Sequence, residues 1–182
     1  WPSGEVPYSI HSSVPEEMHQ NIHKGAKAWE KDASGKPTGW KMIPAASSHI
    51  DKILVSYDET LGARGIGGWS SLGRVGGTQV LMCGDGCQSV GTVVHEFGHA
   101  MGFFHEQCRH DRDKYLKIHW QYIKEDFKGQ FQKASKSDSI LLSDYDINSV
   151  MHYSGYAFSH NRKSMLQKKF KVMTIIENGK DT

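Results

Sequence analysis

The stretch HEFGHAMGFFHEQC, residues 95–108, places three histidines and two glutamates within fourteen positions. In a helix His95 and His99 lie one turn apart, so both imidazoles leave the same face and can meet one ion at about 2.0–2.1 Å. Glu96 points to one side of that face, poorly placed as a third ligand but able to reach a water held on the metal, where a general base has to be. Gly102 permits the backbone to leave the helix through a left-handed residue, and this returns His105 toward the ion from another direction. Three nitrogens and one open position are the donor set of a catalytic zinc site, because a structural site closes all four positions with protein ligands.

The spacing is specific. With 11 histidines in 182 residues, H-E-x-x-H arises by chance in roughly 3% of such chains, and requiring Gly102 and His105 as well lowers that to roughly 2 in 10,000. The long form H-E-x-x-H-x-x-G-x-x-H is the metzincin zinc signature and calls for a methionine-containing turn downstream. SVMHY, Ser149 to Tyr153, supplies one. By contrast His19 and His23, four apart on another helical stretch, have no third ligand or carboxylate beside them and read as exposed polar side chains.

The elements that must position these residues are legible in outline. Residues 1–105 alternate between strand and helix patterns. VPYSI, GWKMIP, HIDKILVSYDE and TQVLMC read as strands, and Pro15 opens a helix whose apolar stripe is Met18, Ile22, Ala26 and Trp29. Ser89 reads as the entrance to the helix that carries the histidines. Beyond residue 106 the texture is turn-rich, with Ile123, Phe127 and Phe131 at helical spacing. The glycine-rich stretch GARGIGGWSSLGRVGG marks turns or an exposed edge rather than a phosphate loop, since no G-K-[ST] follows.

Composition sets the limits. A hydrophobic fraction of 37% and a formal charge of +2 are those of an ordinary globular chain. The longest apolar runs fall far short of the roughly 20 residues a membrane span requires, so no membrane insertion is expected. The basic run RKSMLQKKFK has no accompanying base-reading motif and reads as a solvated face, which argues against nucleic acid as a partner. The chain opens on WPSGEVPYSI without a signal-peptide pattern, as a trimmed secreted protein also would. Cys83 and Cys87 bracket the turn-forming triplet GDG, which favours a short disulfide over a metal half-site that no second cysteine pair completes. Cys108 is left without a partner in the chain.

HEQCRHDRD after the glycine, followed by SVMHY, resembles the astacins, whose pattern is close to HExxHxxGFxHExxRxDRD with SxMHY. The resemblance extends to WPSGEVPYSI, GGWSSLGR and GCQSVGTVVHE and covers about nine tenths of the chain. It implies an α+β, zincin-like fold over residues 1–182 as a single peptidase domain. A twisted mixed sheet with two long helices forms an N-terminal lobe, about 1–105, and an irregular C-terminal lobe, about 106–182, ends short of the family's final helix. The active-site cleft lies between the lobes. By the same resemblance His95, His99 and His105 bind one catalytic Zn2+, Glu96 is the base, and Tyr153 is a further ligand that swings away to stabilise the oxyanion. Met151 forms an apolar floor, Glu106 stands near the site, and Trp69, Ser70, Ser71 and Leu72 match the edge strand that holds a protein or peptide substrate. A secreted zinc endopeptidase made with a propeptide is the implied function. The alternative is a catalytically silent zinc-binding module of the same fold, against which the retention of Glu96 argues.

The chain departs from the pattern in three places. The family's counterpart of Cys87 pairs with a cysteine where this chain has Gly68, and neither cysteine of the second family disulfide is present. The family's mature N-terminus lies near the residue matching Glu106, whereas Trp1 sits too far into the pattern to be that terminus. No Trp1–Glu106 ion pair is therefore expected, and Glu106 is left to water or another donor.

Overall fold

Alternating strand and helix patterns in the first hundred residues become a parallel sheet covered by helices, because each crossover buries its apolar stripe on the strands it joins. The computed structural model describes residues 1–160, 170–177 and 180–181. Most of the basic run expected to form a solvated face, 162–169, lies outside the described residues. The chain divides into two compact units, Trp1–Phe103 and Phe104–Thr182.

In the first unit, strands β1 (Glu5–Ile10), β2 (Lys41–Pro44), β3 (Lys52–Tyr57), β4 (Gly68–Ser70) and β5 (Thr78–Cys83) form a sheet in the order β2-β1-β3-β5-β4. The first four strands in that order are parallel and β4 closes one edge antiparallel to β5, in the register Gly68–Cys83, Trp69–Met82, Ser70–Leu81. The sheet is therefore mixed, as expected. Helix α1 (Glu16–Lys27) buries Met18, Ile22 and Ala26, and a short helix α2 (Thr60–Arg64) precedes β4. α1 stops before Trp29, which falls in a 3-10 turn, Ala28–Glu30. The long helix α3 (Val90–Ala100) buries Val93, Phe97 and Ala100 in the same core as Val6, Ile53, Val55 and Leu81. Each such side chain contributes about 1.5–3 kcal/mol on burial, and the histidines of α3 are carried on a helix fixed by that face.

The expected Cys83–Cys87 bridge is not formed. All three cysteines are free thiols and all are buried. The 3-10 turn Asp85–Gln88 that follows β5 places the Cys87 thiol in hydrogen-bonding reach of the Cys83 thiol and 3.8 Å from the Gly67 carbonyl, a weak acceptor.

The second unit holds a three-stranded sheet of β6 (Leu116–Ile118), β7 (Met173–Glu177) and β8 (Lys180–Asp181), in that order and antiparallel. Its core gathers Leu116, Ile123, Phe131, Val172 and Met173, with Tyr153 and Phe158 packed against it. The spacing of Ile123, Phe127 and Phe131 predicts a helical stripe, yet only part of it is helical and that part is 3-10, Glu125–Phe131. Ile123 is extended and bridges to Ser159. Burial of the apolar side chains satisfies the pattern, and local turns replace the α-helical ladder.

Candidate metal centre

α3 ends at Ala100, one residue after His99, and the way it ends sets the centre. Gly102, at φ +103°, donates its N–H to the His99 carbonyl at 2.8 Å, while the Phe103 N–H reaches the Gly98 carbonyl at 3.0 Å. This pair of bonds is a Schellman cap, which satisfies carbonyls the helix leaves open and reverses the chain. The reversal brings the Phe103 carbonyl to 2.8 Å from His99 Nδ1. With Nδ1–H donating to that carbonyl, His99 turns the lone pair of Nε2 away from the cap. There it lies 3.1 Å from His95 Nε2.

Ligand nitrogens of His95, His99 and His105 all lie within 4.8 Å of one another, and all three side chains are half-buried. Two nitrogens at about 2.0–2.1 Å from a tetrahedral ion would stand about 3.3 Å apart, close to the His95–His99 separation. Burial, together with the neighbouring His95, pushes the His99 pKa down to about 4, so this imidazole is neutral near pH 7 and available as a ligand. Glu96 is 5% exposed as a residue, and burial pushes its pKa up to about 8. Its Oε2 has no hydrogen-bond partner among the described residues. Three imidazole nitrogens so placed are a donor set that fits Zn2+, and the buried Glu96 carboxyl, next to His95 in the chain, is short of the positive charge such a cation would supply.

Glu96 also lies against the sheet edge. A Cβ built on Gly68 would come within 3.0 Å of Glu96 Cγ and 2.9 Å of the Met82 carbonyl oxygen, so the glycine leaves the space the carboxylate stem occupies. Trp69 and Ser70 lie in edge strand β4, with Trp69 46% exposed, and Ser71 and Leu72 follow in irregular chain. That chain is held twice. Gly73 donates its N–H to the His99 carbonyl at 2.8 Å, and buried Gln79 accepts from Val75 N–H at 3.2 Å and donates to the Gly73 carbonyl at 2.9 Å.

In the second unit the ring of Tyr153 packs on that of His105, centroids 4.2 Å apart. Met151 is buried, and its carbonyl accepts the Glu106 N–H at 3.0 Å. Glu106 Oε1 accepts from Arg109 Nη1 at 2.9 Å and from the Asp146 N–H at 2.9 Å, so its donors are side chain and backbone of its own unit. Trp1 instead donates its indole N–H to the Ala100 carbonyl at 2.9 Å. The polar residues around the centre that sequence reading missed are Gln79 and Gln107. A buried glutamine carries no periodic signal; only the three-dimensional contacts single it out.

The peptidase family described as Astacin matches residues 1–180. The zinc metalloproteinase nas-13 of Caenorhabditis elegans is 35% identical over 168 residues, which is 92% of this chain and 35% of that protein. Blastula protease 10 of Paracentrotus lividus is 36% identical over 164 residues, 88% of this chain and 26% of that protein. The chain thus spans about a third or less of these two relatives. Among solved structures, high choriolytic enzyme 1, a hatching enzyme zinc-protease from Oryzias latipes, superimposes with a TM-score of 0.79 at 32% identity, covering 96% of this chain and 78% of that one. The histidine spacing, the α+β fold and the match along residues 1–180 agree, and the chain belongs to the astacin family.

Proposed function

We propose that residues 1–182 act as one peptidase domain of a secreted, zinc-dependent endopeptidase that hydrolyses protein or peptide substrates with Glu96 as general base. The observation that carries this reading is the convergence of the three histidine nitrogens next to a buried carboxyl whose Oε2 has no partner among the described residues. Secretion rests on the family likeness alone.

Bound by His95, His99 and His105, zinc would supply a Lewis acid that brings the pKa of a coordinated water toward neutrality. Glu96 takes the proton at its buried carboxylate and returns it to the leaving amine, a role in which the charge of a bound cation would offset the burial that raises its pKa and keep it ionised. The Tyr153 phenol, which by family likeness also serves as a ligand, donates to the oxyanion as charge develops there. Met151 lends apolar packing and Glu106 secures the backbone that carries it. Main-chain groups along Trp69, Ser70, Ser71 and Leu72 hold the substrate as an added strand on the sheet edge.

The test is hydrolysis of casein by purified protein, by protein stripped with a chelator, and by stripped protein with zinc restored, alongside Glu96→Gln. Activity should vanish on stripping and return with zinc. Glu96→Gln should keep one equivalent of zinc while losing about 10²–10⁴ in kcat. Cleavage that survives complete stripping would sink the zinc-dependent mechanism. Zinc binding without cleavage by the wild type would point to the silent binding module.

A further inference from the structure

Tyr153 hangs from a peptide gripped at both ends. Gln107, fully buried at 0% exposure, accepts the Tyr153 N–H on Oε1 at 3.1 Å. On the other side His152 Nδ1 lies 2.7 Å from the Tyr153 carbonyl oxygen, and its Nε2 lies 2.7 Å from the Tyr145 hydroxyl. Gln107 also follows Glu106, whose N–H donates to the Met151 carbonyl and whose Oε1 accepts the Asp146 N–H. The two residues after His105 therefore clamp the Asp146–Tyr153 turn, and Gln107 holds its tyrosine.

A side chain kept at this position only to fill space would be better as Leu or Met, which bury no polar atoms. Gln107 buries an amide whose Nε2 has no partner among the described residues, so its polar character serves the Oε1 bond alone. We infer that Gln107 is a positioning residue for Tyr153: its side-chain carbonyl fixes the tyrosine backbone, so that the phenol moves by side-chain rotation while the turn stays in place. The inference rests on the role proposed above for the Tyr153 phenol. An apolar substitute would remove the Oε1 acceptor of the Tyr153 amide and loosen the anchor of the ring that packs on His105.

The first measurement needs neither metal nor substrate. In zinc-stripped protein labelled with 15N-tyrosine, the Tyr153 amide should exchange about tenfold faster in Gln107→Met than in wild type. The Tyr115 amide, bound to the Arg112 carbonyl at 2.9 Å, should be unchanged. Gln107→Glu, which keeps an acceptor oxygen, should restore the protection. In zinc-loaded enzyme, Gln107→Met should lower kcat about tenfold with KM nearly constant, and should add nothing on a Tyr153→Phe background. A wild-type Tyr153 amide that exchanges at free-peptide rates overturns the inference, even if Gln107→Met fails to fold. Effects that multiply in the double variant overturn it too. If Tyr153→Phe alone leaves kcat unchanged, the reading of the phenol itself fails, and the metal-free exchange rates tell that result apart from a failure of Gln107.

Discussion

The setting of the Glu96 carboxyl is made by burial and by a glycine on the sheet edge. Burial raises its pKa to about 8, and the missing side chain at Gly68 leaves room for its stem. Gly68→Ala would set a methyl group 3.0 Å from Glu96 Cγ and 2.9 Å from the Met82 carbonyl oxygen, so either the carboxylate or the edge strand has to move. A displacement of this kind is expected to cost roughly ten- to a hundredfold in kcat while one equivalent of zinc still binds. Steady-state kinetics with zinc analysis would check it, and unchanged kcat would mean that Glu96 tolerates the shift. The histidine cluster was legible in the sequence, His95 and His99 because helical periodicity is a local property and His105 because a glycine marks the turn before it. Gly68 and Gln107 were not legible as parts of the site. Their contacts join residues far apart in the chain, and nothing in either residue type announces the partner.

At the level of elements, the cap of α3 carries the metal centre. Gly102 is at φ +103°, where a Cβ is strained, and its cap brings the Phe103 carbonyl onto His99 Nδ1. Gly102→Ala should therefore destabilise the fold by about 1–2 kcal/mol, read as a lower urea midpoint. It should also weaken zinc binding, read by competition with a chromogenic chelator. Loss of stability with unchanged zinc affinity would show that the cap supports the helix without orienting its histidine. β3, β5 and α1 lie close to where the strand-favouring runs HIDKILVSYDE and TQVLMC and the stripe of Met18, Ile22 and Ala26 put them. The same reasoning misjudged Ile123, Phe127 and Phe131, because spacing reports which side chains are buried and leaves the backbone ladder undetermined. The turn between Cys83 and Cys87 does bring the two thiols together, since a hydrogen bond from one to the other pushes the Cys87 pKa up, yet both stay free thiols: nearness in space does not set the oxidation state.

Over the whole molecule, a charged network makes the second unit sensitive to acid. Arg109 holds Asp111 below the ordinary carboxylate range, and Lys133 with Arg112 does the same for Asp113. Because both carboxyls have lower pKa values folded than unfolded, the stability they contribute is present above the unfolded value of about 3.9 and is lost as pH falls through the folded values. The difference in urea midpoint between wild type and Asp111→Asn should therefore be constant from pH 7 to 5 and shrink below pH 4, and a difference that stays constant through pH 3 would remove Asp111 from the explanation. The first unit raises a different point, through β4 at the edge of its sheet. A partner strand laid along that edge is recognised by its amide hydrogens and carbonyl oxygens, which every residue but one carries in the same form. The edge is thus indifferent to most side chains yet sensitive to the imino acid: a proline opposite a carbonyl of β4 would bring no hydrogen to donate, and a proline-rich chain would pass the strand unread.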